Sequence, residues 1–464
     1  HVIPGAHYEP WRDRESSQYA FERIPTIADH LHYVGAGDIR EGIGSQAEDL
    51  AGGGHAHCGT MIYLGDNWPA GYRNTAFLNN IHGKRINNDV LRRSGSGYVA
   101  SHAPDLLRNK DSWMMGVTLQ YGPDGSVYVL DWSDTGECHS VRNTQRETGR
   151  IYRIAYRNPE PRRVDVASLS DAQLVALQLH PNDWFVRHAR RVLQERFASG
   201  HKLEEAIASL QTMLSEQADV TRKLRALWAL HCVSALQEEQ LRGLLDDPAE
   251  QVRAWAVTLL CERKSATLPA PLTEPSLTRL VDLARTGVSP LVRLHLASAL
   301  QRLHLVDGCE LAMALCSRAE DATDQNLPLM YWYGVEPLIG LDGDSERPAE
   351  WTEQMTGITE RIAMTTQIPL IRRHVARRVA AKPVGEHFLD SIVQVLGQTT
   401  ADAARRDLLA GLLQGLEGRR TVPMPSGWRY VYTGLSHSRD DDVRNSAVRL
   451  ALVFEDPEAI RSLQ

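Results

Sequence analysis

Two His-x-His pairs stand near the start of the chain, His30 and His32 in DHLHY and His55 and His57 in GGGHAHCG. On a strand, residues i and i+2 project from one face, so each pair offers two imidazoles to a single transition metal. With no third ligand in view, the same residues serve equally well as loop histidines bonded to carbonyls. Farther along, Asp131, Asp134 and Glu137 in DWSDTGE put three carboxylates on one loop. That donor set suits a hard cation such as calcium, but the spacing is not that of an EF-hand, and turn-forming Asp accounts for it as well.

These residues lie in a region with the grammar of strands. In LQYGPDGSVYVLDW, a Pro-Asp-Gly turn precedes the alternating run Val127 to Leu130, and TGRIYRIAY supplies the strand that answers it. Hairpins punctuated in this way are commonly half of a propeller blade. Up to about residue 158 the sequence keeps this character, with short alternating runs, Gly and aromatics separated by turn signals, as in GTMIYLGDNWP and NTAFLNNIHGKRI.

After RNPEPRR the pattern changes to amphipathic helix pairs. An apolar residue, an Arg and then an Ala recur around Arg187, Arg225, Arg253, Arg293, Arg372 and Arg444, with gaps of 38, 28, 40, 79 and 72 residues. The two long gaps fit doubled repeats with degenerate copies near LPLMYWYGVEPL and ADAARRDLLAGLL. Periods near forty with two helices each predict a HEAT-like α-solenoid. The recurring Arg is read as a structural ladder to the carboxylate of the preceding turn, Asp247 with Arg253 and Asp442 with Arg444, and not as a phosphate clamp.

A formal net charge of −7 and a pI near 6.2 give no basic footprint for nucleic acid. No run of about 18 apolar residues spans a membrane. There is no charged-then-apolar leader, but the chain opens on HVIPGAHYEP, which reads like the middle of a protein, so nothing follows for secretion. The six cysteines lack C-x-x-C spacing, which argues against a zinc ribbon, a thioredoxin-type site and covalent haem; Cys232, Cys261, Cys309 and Cys316 read as buried thiols in helices.

The segments IADHLHYVG, GGGHAHCGTMIYLGDNWPAGYRNTAFLNNIHGKRINNDVL, GSGYVASHAPDLL and YGPDGSVYVLDWSDTGECH with TGRIYRI carry a resemblance. The chain resembles the large membrane-bound-dehydrogenase-type proteins of planctomycetes and verrucomicrobia, which join a glucose/sorbosone-dehydrogenase-like β-propeller to HEAT repeats and often to a c-type cytochrome. The likeness is specific over residues 1–157 and generic over the helices. It implies a multidomain β plus α chain: the last blades of a propeller over 1–157, followed by a HEAT-like α-solenoid over 158–464. A propeller needs four to eight blades, so the chain reads as the C-terminal part of a longer protein.

The resemblance further implies an extracytoplasmic sugar or alcohol dehydrogenase, pyrroloquinoline quinone (PQQ) and calcium as cofactors, a cytochrome as electron acceptor, and a protein partner on the solenoid. Asp66, Arg73, His82, Asp89 and His139 are candidates for the propeller mouth, with Arg73 and Asp89 equally readable as an ion pair between blades. Arg150 is expected to face solvent or a neighbouring strand. One departure matters. The Arg pair that commonly precedes the family's last PDG strand is replaced here by Met114, Met115 and Val117, which argues against quinone binding and against catalysis by this chain alone. The alternative is a non-catalytic ligand- or glycan-binding propeller with an interaction solenoid.

Overall fold

A computed structural model describes residues 57–81, 83–111, 113–132, 147–160, 162–262, 272–339, 349–381 and 386–462. The chain is mixed β plus α, with two small antiparallel sheets followed by helices. It divides into two compact units, His1–Leu236 and Gln237–Gln464.

The first sheet is a meander of β1 (His57–Ile62), β2 (Ala76–Asn80), β3 (Arg85–Ser94) and β4 (Gly97–Arg108), each pairing with the next. The second is a three-stranded meander of β5 (Gly116–Tyr121), β6 (Val127–Asp131) and β7 (Ile151–Ile154). The expected hairpin is present as β6 paired antiparallel with β7, Val127 opposite Ile154. The Pro-Asp-Gly turn before it joins β5 to β6, where Gly122 C=O accepts from Gly125 N–H at 3.0 Å and Gly125 has a φ of +71°, a left-handed position that favours Gly. Alternation does the rest, since Val127 and Val129 are fully buried while Leu130 is exposed.

The sheets share one core, built from Met61, Tyr63, Phe77, Ile86, Met114, Leu119, Tyr121, Val127 and Val129. The first strands of the two meanders, β1 and β5, pack against each other. Gly59 permits this approach. Its φ is +60°, and a Cβ there would fall on the Val117 carbonyl oxygen and within 2.9 Å of the Asn79 amide.

Strand gives way to helix between β7 and a 3-10 turn at Val166–Ser168, close to the expected change at residue 158, yet the first unit continues to Leu236. It includes α1 (Asp171–Ala176), α2 (Asp183–Ala198), α3 (Glu204–Glu216) and α4 (Val220–Cys232). Asn182 explains the continuity. As N-cap of α2 its side chain accepts from Trp184 N–H, while its Nδ2 donates to Asp66 Oδ1 and to Gly122 C=O, both at 3.0 Å. Asp183 N–H bonds to Leu64 C=O at 3.0 Å, and Arg225 bridges Asp183 at 3.1 Å and the His180 carbonyl at 2.9 Å.

The second unit contains α5 (Glu238–Gly243), α6 (Glu250–Leu260), α7 (Glu274–Arg285), α8 (Pro290–Leu300), α9 (Leu305–Cys316), α10 (Leu327–Val335), α11 (Ala349–Thr365), α12 (Pro369–Ala381), α13 (Glu386–Gln398), α14 (Asp402–Gly415), α15 (Trp428–Ser436), α16 (Asp441–Val453) and α17 (Pro457–Ser462). They pack in two rows. Odd-numbered helices α5 to α15 each touch the next odd one, even-numbered α6 to α16 the next even one, and each odd helix also packs on the even helix that follows it. Interiors are small and aliphatic: Ala254, Ala256 and Val257 on α6 and Val292, Leu296 and Ala297 on α8, two helices that pack together, are all buried.

The recurring Arg forms a ladder, but its acceptor differs from the expectation. Arg253 donates to the Asp247 carbonyl at 2.6 Å, while the Asp247 carboxylate accepts from Ala249 N–H. Arg444 donates to the Ser438 carbonyl at 2.6 Å and pairs with Asp441, not with Asp442. Arg405 meets the Thr399 carbonyl at 2.7 Å, Arg372 that of Thr366 and Arg293 that of Val288. In the second unit the rung is thus an Arg to a backbone carbonyl five or six residues earlier, whereas Arg187 and Arg225 in the first unit both meet the Asp183 carboxylate. A carboxylate in the turn is drawn instead to the N–H groups that open the next helix, where the helix dipole favours it.

The five described cysteines are not in disulfides with one another; Cys261, Cys309 and Cys316 are buried as expected, while Cys232 is half-buried. No helix among the described residues is long and apolar enough to cross a membrane.

Candidate functional site

Antiparallel pairing brings one end of both sheets together. The start of β1, the β2–β3 turn, the end of β4, the start of β5, the end of β6 and the start of β7 all meet there, as the pairings His57 with Asn80, Arg85 with Arg108, Gly116 with Asp131 and Leu130 with Ile151 require. The bond from Cys58 Sγ to Gly116 C=O, at 3.5 Å, ties the two sheets at this end.

A hydrogen-bonded chain of polar side chains crosses the first sheet here. His57 Nε2 lies 3.1 Å from Asn80 Nδ2, which donates to Asn87 Oδ1 at 3.1 Å; Asn87 Nδ2 donates to Asp105 Oδ1 at 2.9 Å. His102 then stands between Asp105, 3.5 Å from Nε2, and Asp89, 3.3 Å from Nδ1. Arg85 closes on Asp105 Oδ2 at 3.3 Å. Asn80, Asn87, Asp89 and Arg85 are each at most 3% exposed, so the network lies in a low-dielectric interior where unmet polar groups are costly. Burial raises the Asp105 pKa, against the pull of Arg85, His102 and Asn87.

Beside it lies a charged cluster. Arg150 bonds Asp111 Oδ2 at 2.9 Å and Asp131 Oδ2 at 3.2 Å, and Asp131 Oδ1 accepts from Met115 N–H at 2.6 Å. The hydrogen bond from Trp113 N–H and the Arg150 contact hold the Asp111 carboxyl below its usual range. Lys84, in the β2–β3 turn, and Arg108, at the end of β4, are further cations of this end.

The anticipated residues are divided by the fold. Asp131 and His57 belong to this end, but both oxygens of Asp131 are engaged. Asp66 and Arg73 lie beyond the other end of β1: Asp66 accepts from Asn182, and Arg73 donates to the Leu64 and Gly65 carbonyls at 2.9 and 2.8 Å. Asp89 faces His102 and Arg73 bonds to backbone carbonyls, so the Arg73–Asp89 pair does not form. Arg150 is anchored to two carboxylates. His30, His32, His55, His82, Asp134, Glu137 and His139 lie outside the described residues. Among the described residues no three His, Cys, Asp or Glu side chains are grouped to hold a metal ion.

Sequence reading passed over Asn80, Lys84, Asn87, His102, Asp105 and Asp111. A signal was present, since Asn79-Asn80 and Asn87-Asn88-Asp89 put consecutive polar residues inside strands whose both faces are buried, against the rule for strands. Amides, imidazoles and carboxylates converging at one end provide the alternating donors and acceptors that a hydroxylated ligand uses.

Asn87→Ala is expected to destabilise the first unit by about 1–3 kcal/mol, because it removes an acceptor of the Asn80 amide and a donor to Asp105 Oδ1 in the interior. Thermal unfolding of the variant against the parent checks this.

Compared with known proteins, residues 38–158 match a family model described as a domain of unknown function, DUF7133. That segment contains β1 to β7 and the site just described. A search of curated proteins gives no match.

Proposed function

We propose that the strands are the last blades of a sugar- or alcohol-dehydrogenase-like β-propeller, that the helices form a HEAT-like solenoid, and that the chain is the C-terminal part of an extracytoplasmic protein of this type. The carrying observation is the pair of successive antiparallel meanders with their first strands packed together, the arrangement of neighbouring blades. The two-row stacking of α5 to α16 supports the solenoid, whose continuous rows suit a protein partner, and a cytochrome is the acceptor expected from the resemblance.

In this reading oxidation belongs to the closed propeller. The two sheets among the described residues do not enclose a mouth, and the positions of the family's Arg pair are taken here by Met114 and Met115, 2% and 3% exposed in the core. Those side chains offer no charge to a quinone carboxylate, so any PQQ contact lies on other blades. The same observation favours the second reading, a propeller that binds a hydroxylated ligand or glycan through the Asn80–Asn87–Asp105 end without oxidising it.

One assay separates them. The complete protein, reconstituted with PQQ and calcium, is expected to reduce a dye with an aldose or alcohol, and the present chain alone is not. A complete protein that stays inactive yet binds glycans, with binding lost in Asn80→Ala, would establish the second reading instead.

A further inference from the structure

Lys84 is 4% exposed and sits at a φ of +50°, a left-handed conformation uncommon for a residue with a side chain. The turn holds it there. Gly83 N–H bonds Asn80 Oδ1 at 2.9 Å, and the Lys84 carbonyl accepts from Asn109 N–H at 2.9 Å. Its Nζ has no hydrogen bond or ion pair among the described residues, yet it is not among the polar atoms sealed from solvent. The residue is buried, with its amine not completely sealed.

The surrounding charges are already matched. Asp111, before β5, and Asp131, at the end of β6, attract Lys84, but Arg150 from the start of β7 holds an oxygen of each, and Arg85 on β3 is turned to Asp105. Burial, opposed by Asp131 and Asp111, lowers the Lys84 pKa to about 8. Lysines desolvated in this way are the ones that act as nucleophiles toward carbonyl groups.

We propose that Lys84 is a carbonyl-reactive amine that condenses with a small aldehyde admitted to this end of the sheets. The nitrogen lone pair forms the N–C bond, the C–O bond breaks, and the carbonyl oxygen leaves as water with both amine protons, giving an imine without electron transfer. The inference stands on the placement of Lys84 and is independent of the dehydrogenase reading.

The test treats the full chain with glycolaldehyde and cyanoborohydride, which reduces an imine to a stable secondary amine, and follows each lysine by peptide mass spectrometry. At pH 7 Lys84 is expected to be modified about tenfold faster than the exposed Lys110 and Lys202, because far more of it is unprotonated. The preference should shrink toward pH 9, as ordinary lysines begin to lose protons, and vanish in urea. Labelling of Lys84 no faster than the other two at pH 7 overturns the proposal. So does a ratio constant from pH 7 to 9, which would trace the preference to access alone.

Discussion

Replacing Asp321 by Ala is expected to lower the stability of the second unit by about 3–5 kcal/mol, the range for removing one partner of a buried ion pair. Asp321 is 1% exposed and accepts from Arg293 Nε at 2.8 Å, from Arg293 Nη2 at 2.5 Å and from the Tyr331 hydroxyl at 2.6 Å. Tyr331 is fully buried, and its hydroxyl pKa is raised by desolvation and then by Asp321. Without the carboxylate, a guanidinium and a phenol lose their acceptor in a space that water does not reach. Urea unfolding followed by the fluorescence of Trp332, a buried neighbour on α10, reads the loss. The paired change Arg293→Met with Asp321→Leu is expected to regain most of it, since no charge then stays buried. A double variant as weak as the single one would show that packing, and not the stranded charge, sets the cost.

Acidification is expected to weaken the same unit between pH 6.5 and 4, and His374→Phe is expected to remove most of that weakening. His374 on α12 is 4% exposed, neither ring nitrogen has a partner, and its ring meets that of Trp332 edge-on at 5.1 Å. Burial, then the charges of Arg377 and Arg373, push its pKa from 6.5 down to about 4. Above pH 6.5 the imidazole is neutral in both folded and unfolded chain, so full stability is present. Below it the unfolded chain takes up a proton that the folded one refuses, and by pH 4 the loss reaches roughly 3 kcal/mol. Phe keeps the ring contact without a titrating atom. Urea midpoints at pH 7, 5.5 and 4.5 test this; a parallel decline in parent and variant would assign the acid sensitivity to other groups.

The two predictions concern residues that sequence patterning flags poorly, and the reason is general. The turn before Ser126, the alternation of Val127 and Val129, and the helical character of the chain after residue 158 were legible because each depends on residues close in sequence. Arg293 was visible as part of a motif, but its partner Asp321 is 28 residues on, and nothing local marks it. The same holds at the candidate site. Asn87 and Asp105, or Arg150 and Asp111, meet only through the way the strands pair. The ladder was misread at a finer level: Asp247 is near Arg253, but composition does not say whether a carboxylate or a carbonyl of the same residue accepts the bond.

The rung itself bears on how such a chain can change length. Arg253, Arg405 and Arg444 each reach a carbonyl within six residues on the same stretch of chain, so duplication or loss of a whole helix pair carries donor and acceptor along together. A single residue inserted between Ser438 and Arg444 breaks the rung at once. Bonds such as Arg372 to Asp407, which join one pair to the next, set the opposite constraint, since a copy can be added there only if it brings an acid in the same place. Each added copy must therefore also satisfy the acids that reach from one pair to the next, such as Asp321, Asp407 and Asp440.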